Sequence, residues 1–415
     1  MNIKLVMLIA MTMLIFTGCQ DGDKDLSGSE SISVSEDAIS GLNSDLNVND
    51  TDKEAIEDEI NDDESCVNHI DNCCEIIKSD EEKYVDLVTA MNDVCTMNET
   101  LTYLDDIHGI LMLASDDEMI YEAYLNSYET DGLTLVSANT TYEIGSVTKQ
   151  FTAASILKLV EEGELSLDDT LDRFFPEYSY GSQITIDNLL RMQSGIPDYI
   201  NDMDSFFYGI TSEEESDMYN DKLTDEVFLY YLYLNDLEFE PGMETKYSNT
   251  NYHILALIIE QLTGKSYAEY ISEIIFSECG MSNSSSQTIG DVTSSIDNAG
   301  QDGYFTLQNF TRGAMDIHSN AMDLLLFEKA LFNGKLLSEE MTEYLFEMEI
   351  GDYNCGWIKI EEGIYYHTGS TINYSCVVCV IKSEEFGNIY MLQLYPNKNS
   401  RSYIDAMMDK VISLL

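Results

Sequence analysis

The sequence predicts an α+β fold: an antiparallel sheet flanked by terminal helices and carrying an inserted, mostly helical domain. Three observations predict it. β-prone runs gather near residues 108–125 and again at 355–394. The first of these clusters breaks in its middle at a polar turn, the pattern of a hairpin. Between the clusters, over roughly 150–345, apolar residues recur at helical spacing.

The elements follow in chain order. Lys4 is the only early charge, the run Leu5–Phe16 is apolar, and Thr17-Gly18-Cys19 closes it. Residues 1–19 therefore read as a secretory signal. The run is shorter than the roughly 20 residues that span a bilayer. Phe16-Thr-Gly-Cys19 resembles the bacterial lipoprotein signal, which implies lipidation of Cys19, anchoring to the outer face of a bacterial membrane and an extracytoplasmic location; ordinary cleavage and release is the alternative. Residues 20–80 are rich in Asp, Glu, Ser and Asn and read as a disordered acidic tether. The folded domain is expected over 81–415.

Within it, Tyr84, Leu87, Val88, Met91, Val94 and Cys95 recur at helical spacing and predict a first helix over 81–104. His108–Ala114, the polar Ser115–Glu118 and Met119–Leu125 predict the hairpin. Gly145-Ser146 precedes an amphipathic run, Val147–Glu162, that Gly163 closes. Further helices are expected at Ile186–Met192, Asn251–Thr263 and Ala321–Phe332. Strands are expected at Cys355–Ile360, Ile364–His367, Tyr374–Ile381 and Ile389–Leu394, and a closing helix at Tyr403–Leu415.

The chain has 415 residues and a net charge of -57. Such an acidic surface repels phosphates and excludes nucleic acid as a natural partner. Nine cysteines are present. Export would permit disulfides, but no pairing follows from the sequence. Cys73-Cys74 and Cys376/Cys379 lack a second Cys/His pair at zinc spacing, so buried or disulfide-bonded thiols are expected rather than a metal site.

The chemistry is carried first by Ser146-Val-Thr-Lys149. A serine hydroxyl is a weak nucleophile until a base takes its proton. On the first turn of a helix, residues three apart share a face, which brings Lys149 beside Ser146. Lysine serves as that base only if its surroundings depress its pKa. A second match, Ser155-Ile-Leu-Lys158, lies inside the same amphipathic run and reads as helix core and surface. Glycine-x-serine-x-glycine and His-Glu-x-x-His are both absent from the sequence, which argues against an α/β-hydrolase elbow and a zinc protease.

The stretch Tyr142–Leu159, beginning Tyr142-Glu-Ile-Gly-Ser-Val-Thr-Lys149, resembles the first active-site motif of the serine β-lactamase and penicillin-binding-protein superfamily. Glu161–Pro176 and Ile184–Asp198 resemble its next landmarks. The likeness runs from about Ile107 to the C-terminus and is nearest to the class C β-lactamase and D-aminopeptidase branch. It implies the β-lactamase/DD-peptidase fold.

Phe239–Tyr252 resembles the second motif. Among several Tyr-x-Asn matches, its flanks select Tyr247-Ser-Asn249. By that resemblance Tyr247 shuttles a proton with Lys149, and Asn249 binds the substrate amide. A nearby cation is expected to lower the pKa of the Tyr247 phenol. The third motif is His367-Thr368-Gly369, followed by Ser370. Many members have lysine where this chain has His367, which places specificity for β-lactams or C-terminal carboxylates in doubt. The resemblance implies that His367, Thr368 and Gly369 line the substrate cleft and that the backbone N–H groups of Ser146 and Ser370 form an oxyanion hole.

The expected activity is acyl transfer through a Ser146 acyl-enzyme on an amide or ester, as in a D-Ala-D-Ala-type peptidase or a D-aminopeptidase, with a peptidoglycan stem peptide or a β-lactam among the candidate substrates. No metal or organic cofactor is implied. The alternatives are an esterase or β-lactamase of the same fold, or a penicillin-binding sensor that is acylated without turnover.

Overall fold

The computed structural model describes residues 74–97, 109–125, 136–200, 224–286, 311–371, 374–395, 408 and 410–415. The signal, Cys19 and the tether up to Cys73 lie outside the described residues, as do His69 and His108. Residues from Cys74 to Leu415 form one compact unit, so the helical block is built into the sheet domain rather than set apart from it.

The strands of the main sheet are β1 (Cys74–Lys78), β2 (Gly109–Ser115), β3 (Met119–Leu125), β6 (Tyr353–Asn354), β7 (Trp357–Glu361), β8 (Ile364–Ser370), β9 (Ser375–Ser383) and β10 (Gly387–Tyr395). All eight are paired antiparallel, in the order β1-β3-β2-β10-β9-β8-β7-β6. A separate two-stranded piece pairs β4 (Tyr142–Glu143) with β5 (His318–Ser319). The helices that bear on the site are α1 (Val85–Met97), α2 (Thr148–Glu161), α3 (Ile186–Leu190), α4 (Asn249–Thr263) and α5 (Ala321–Phe332).

Every residue of β2 is buried, the mark of a strand covered on both faces. Register identifies the covers. Leu113 pairs with Tyr121, whose hydroxyl donates to Asn92 in α1. Ala114 pairs with Tyr390, on the opposite face, whose ring meets Phe332 of α5. Helices α1 and α5 therefore pack on opposite faces. Lys410, from the described part of the expected closing helix, forms an ion pair with Asp93 of α1 at 3.0 Å.

Several boundaries differ from expectation, each for a local reason. Cys74–Lys78 is a strand, not tether: it pairs along the whole of its length with β3. Composition hides it because Ile76 and Ile77 are its only aliphatic residues and both are exposed on the sheet edge. The strand expected at Cys355–Ile360 starts two residues later, as β7, and pairs with the short β6 just before it, which the sequence did not predict. Cys355 and Gly356 form the turn between them, at φ 51° and 82°. A Cβ on Gly356 would lie 2.6 Å from Gln150 N, so this turn presses on the helix that follows Ser146. Met192 adopts φ 58°, and α3 ends before it. The Met192 sulfur then accepts hydrogen bonds from Ser248 N and Asn251 Nδ2. Helix α4 begins two residues earlier than expected, which places Asn249 in its first turn. Cys279, Cys355, Cys376 and Cys379 are free thiols, and the last three are buried.

Candidate active site

Ser146 stands where the small β4–β5 piece gives way to a helix. A single 3-10 turn, Gly145–Val147, runs directly into α2. Two close approaches fix that turn. A Cβ on Gly145 would lie 2.5 Å from Ser370 N, and one on Gly369 would lie 1.8 Å from Ile144 O and 3.1 Å from Ser146 N. The backbones of the turn that carries Ser146 and of β8 touch with no side chain between them. Only glycine allows this approach. Ser146 and Ser370, whose N–H groups the sequence nominates for an oxyanion hole, stand on these touching segments.

Lys149 is fully buried. Its Nζ lies 3.1 Å from Ser146 Oγ and donates to Asn249 Oδ1 at 2.8 Å and to the Ala314 carbonyl at 3.0 Å. Burial pulls its pKa down from 10.5 to about 7, against the opposing pull of Asp198 and Asp316. That change equals on the order of 5 kcal/mol of lost preference for the charged form. Both carboxyls are themselves raised to about 6 by burial. Asp316 accepts hydrogen bonds from Ser286 Oγ and Gly313 N, which hold the 311–317 loop over Lys149. A Cβ on Gly313, at φ 70°, would meet Ala256 Cβ at 2.6 Å and Tyr252 O at 2.9 Å.

Tyr247, in the segment leading to α4, is set differently from the sequence expectation. Lys149 Nζ lies over its ring, 4.9 Å from the centroid. Burial raises the phenol above 10; the Ser146 hydroxyl beside it offsets this in part, and Asp198 adds to the rise. The Tyr247 hydroxyl meets no partner within good hydrogen-bond geometry among the described residues, Ser146 included. A phenol held protonated can give a proton but cannot take one from serine, which leaves Lys149 as the group suited to be the base.

Asn249 is occupied at both ends of its amide. Oδ1 accepts from Lys149, and Nδ2 donates to Asp198 Oδ2 at 3.0 Å. In this arrangement it orders the lysine. His367 is buried on β8, in ring contact with Tyr247 and Tyr353. Its Nδ1 lies 2.7 Å from the Thr368 carbonyl, so Nδ1 carries the proton and donates it. Burial and the charge of Lys149 lower its pKa to about 3. His367 is thus a neutral ring whose Nε2 can only accept, and that atom has no partner among the described residues. Thr368, on the alternate face of the strand, is half-buried.

The competing motif is structural. Ser155 is buried with its hydroxyl donating to Phe151 O, and Lys158 pairs with Glu278 at 2.9 Å. Of the other histidines, His253 stacks on Phe228 at 3.9 Å and His318 faces Glu143 at 3.8 Å. Sequence reasoning missed Asp198, Asp316 and the Ala314 carbonyl. Asp198 ends a stretch already matched to the superfamily, and the run Gly195-Ile-Pro-Asp198 was the available signal. Asp316 has no flanking pattern.

An antiparallel sheet whose third-from-edge strand touches a buried serine–lysine pair at a helix entrance is the arrangement of a serine hydrolase. The chain belongs to the Beta-lactamase family, whose profile it matches over residues 97–410. It is 30% identical over 315 residues to penicillin-binding protein 4* of Bacillus subtilis, covering 68% of this chain and 67% of that protein. It is 38% identical over 149 residues to protein flp of Staphylococcus aureus, covering 35% of this chain and 28% of flp. Among solved structures, D-amino acid amidase of Ochrobactrum anthropi SV3 in complex with D-phenylalanine superposes with a TM-score of 0.63 at 20% identity, over 79% of this chain and 99% of that one. A penicillin-binding protein of Bacillus halodurans gives 0.60 at 21% identity, over 77% and 100%. These two likenesses bear on the fold.

Proposed function

We propose that the chain is an extracytoplasmic acyl hydrolase that opens an amide or ester through an acyl-enzyme on Ser146. One observation carries this reading: the 3.1 Å contact between Ser146 Oγ and a fully buried Lys149 whose other two partners are oxygen acceptors. Ser146 Oγ attacks the carbonyl and its proton passes to Lys149. The N–H groups of Ser146 and Ser370 hold the oxyanion. Tyr247 hands its proton to the leaving group and is reprotonated from Lys149. Water then releases the acyl group by the same route in reverse.

Substrate class is proposed from His367. A neutral acceptor in place of lysine offers no charge to a terminal carboxylate. It suits a leaving group that bears N–H, as in an amide or an aminopeptidase substrate, and this fits the class C and D-aminopeptidase branch. Anchoring at Cys19 would place a cell-wall peptide within reach; the support is the signal-like pattern Leu5–Cys19.

The test is to incubate the full chain with a penicillin and follow protein and antibiotic by mass spectrometry. An adduct mapped to the peptide bearing Ser146 supports the reading. Hydrolysed antibiotic without a lasting adduct makes the chain a β-lactamase. An adduct on Ser155 overturns the site. His367→Lys is expected to raise the preference for a carboxylate-ended peptide over its amidated twin by about tenfold, read as a kcat/KM ratio. An unchanged ratio would refute the role given to His367.

A further inference from the structure

The inference concerns Asp198 and rests on the reading of Lys149 as the base. Among the described residues, Lys149 Nζ has three hydrogen-bond partners. Two of them, Asn249 Oδ1 and Ala314 O, can only accept. When the amine has lost one proton, its remaining two are held by those oxygens, and its lone pair can face only Ser146 Oγ, 3.1 Å away. This arrangement requires the Asn249 amide to point its oxygen, not its nitrogen, at the lysine. A carboxamide turned by 180° would present N–H groups to the amine. The lone pair would then be drawn to Asn249 and away from the serine.

Asp198 prevents the turn. Its Oδ2 accepts from Asn249 Nδ2 at 3.0 Å and its Oδ1 from Ile200 N at 3.1 Å. Above about pH 6 Asp198 is a carboxylate, which cannot donate, so only the observed face of the amide fits it there. We propose that Asp198 is a positioning residue that locks the Asn249 amide and thereby aims the lone pair of Lys149 at Ser146. The lock is buried at both residues, where an unmatched pair of polar groups is costly. The groups that face Lys149 from the surrounding elements are Asp198 after α3, Asp316 before β5, His367 on β8, and Tyr247 and Tyr252 on either side of the start of α4.

An exchange of the two side chains tests the lock. In Asp198→Asn the amide of Asn249 is free to turn. The double variant combines Asp198→Asn with Asn249→Asp, so that carboxylate and carboxamide trade places. The carboxamide introduced at position 198 then takes the Ile200 N–H on its oxygen and donates from its nitrogen to the carboxylate at position 249. That carboxylate offers oxygen to Lys149 whichever way it turns. The readout is the rate at which a fluorophosphonate labels Ser146 of the full chain, followed by intact mass from pH 5 to 9. In that step Ser146 Oγ bonds phosphorus, fluoride leaves, and the serine proton passes to Lys149.

Asp198→Asn is expected to cut the plateau rate by about ten- to a hundredfold and to move the acid limb down by about one pH unit, because a charge that favoured the ammonium is gone. The swap is expected to recover the plateau to within about threefold and to carry the limb above the wild-type position, since the carboxylate now touches the amine. A residue that served only to pack the fold would not displace the limb in opposite senses. Wild-type behaviour in Asp198→Asn, or a swap no faster than the single variant, overturns the lock alone. Absence of Ser146-dependent labelling in the wild type overturns the base reading, and the lock with it.

Discussion

Replacement of Lys149 by methionine is expected to slow acylation of Ser146 by about a thousandfold or more, with little loss of folded protein. General-base catalysis contributes about a hundred- to ten-thousandfold on its own. Here the lysine also orders Asn249 and the serine hydroxyl. Methionine has a similar length and no charge, so it removes a buried group whose ionised form the site already disfavours. The wild-type rate should climb with pH through a limb near 7, because the base works only after it has lost its proton. Asp198 and Asp316, both raised to about 6, titrate alongside it, so the limb belongs to the cluster of three. His367, at about 3, adds no step between pH 5 and 8. A pH–rate profile of penicillin or fluorophosphonate labelling reads both effects. A flat profile across pH 5 to 9, or a methionine variant within about tenfold of wild type, would remove Lys149 from the role of base.

A single methyl group at Gly369 is expected to be as damaging. The added Cβ would fall 1.8 Å from Ile144 O and 2.8 Å from Ile144 C, both backbone atoms that cannot rotate away. Strand β8 cannot retreat, because it is laddered to β9 along its whole length and to β7 over its first half. The turn that carries Ser146 must move instead, and it leads straight into α2. Overpacking of this kind costs about 1–3 kcal/mol of stability. A shift of 1 Å in a nucleophile costs about a hundredfold in rate. The check is thermal unfolding together with Ser146 labelling of Gly369→Ala. Wild-type values for both would show that the two backbones are not in the contact described.

How much of this was legible in the sequence depends on the range over which each feature is encoded. The long buried helices α2, α4 and α5 declare themselves by apolar spacing, and their ends are marked by glycine or by a cap such as Asn320. The hairpin β2–β3 was legible because its polar turn is local. The pair Ser146 and Lys149 was legible because a helical turn brings them together from three residues apart. What escaped is encoded at a distance. Strand β1 exists through its ladder with β3, which no local pattern reports. The turn at Cys355-Gly356 is set by the approach of Gln150, far away in the chain. The protonation of Tyr247 and His367 could not be read either, because burial, and not the residue type, decides it. Asp316 was missed for the same reason, because it acts on Lys149 through contacts that only the folded chain assembles; Asp198 carried a local signal in Gly195-Ile-Pro-Asp198, but not its bond to Asn249.

The edge position of β1 also has a mechanical meaning. It is the outermost strand of the sheet, and the order β1-β3-β2-β10-β9-β8 puts five strand spacings, about 24 Å, between it and the strand that touches Ser146. A pull on the chain that leads into Cys74 is borne first by the β1–β3 ladder, whose exposed Ile76 and Ile77 add little cohesion. Loss of that ladder alone would leave β3, β2, β10 and β9 still standing between the sheet edge and the strand that touches Ser146.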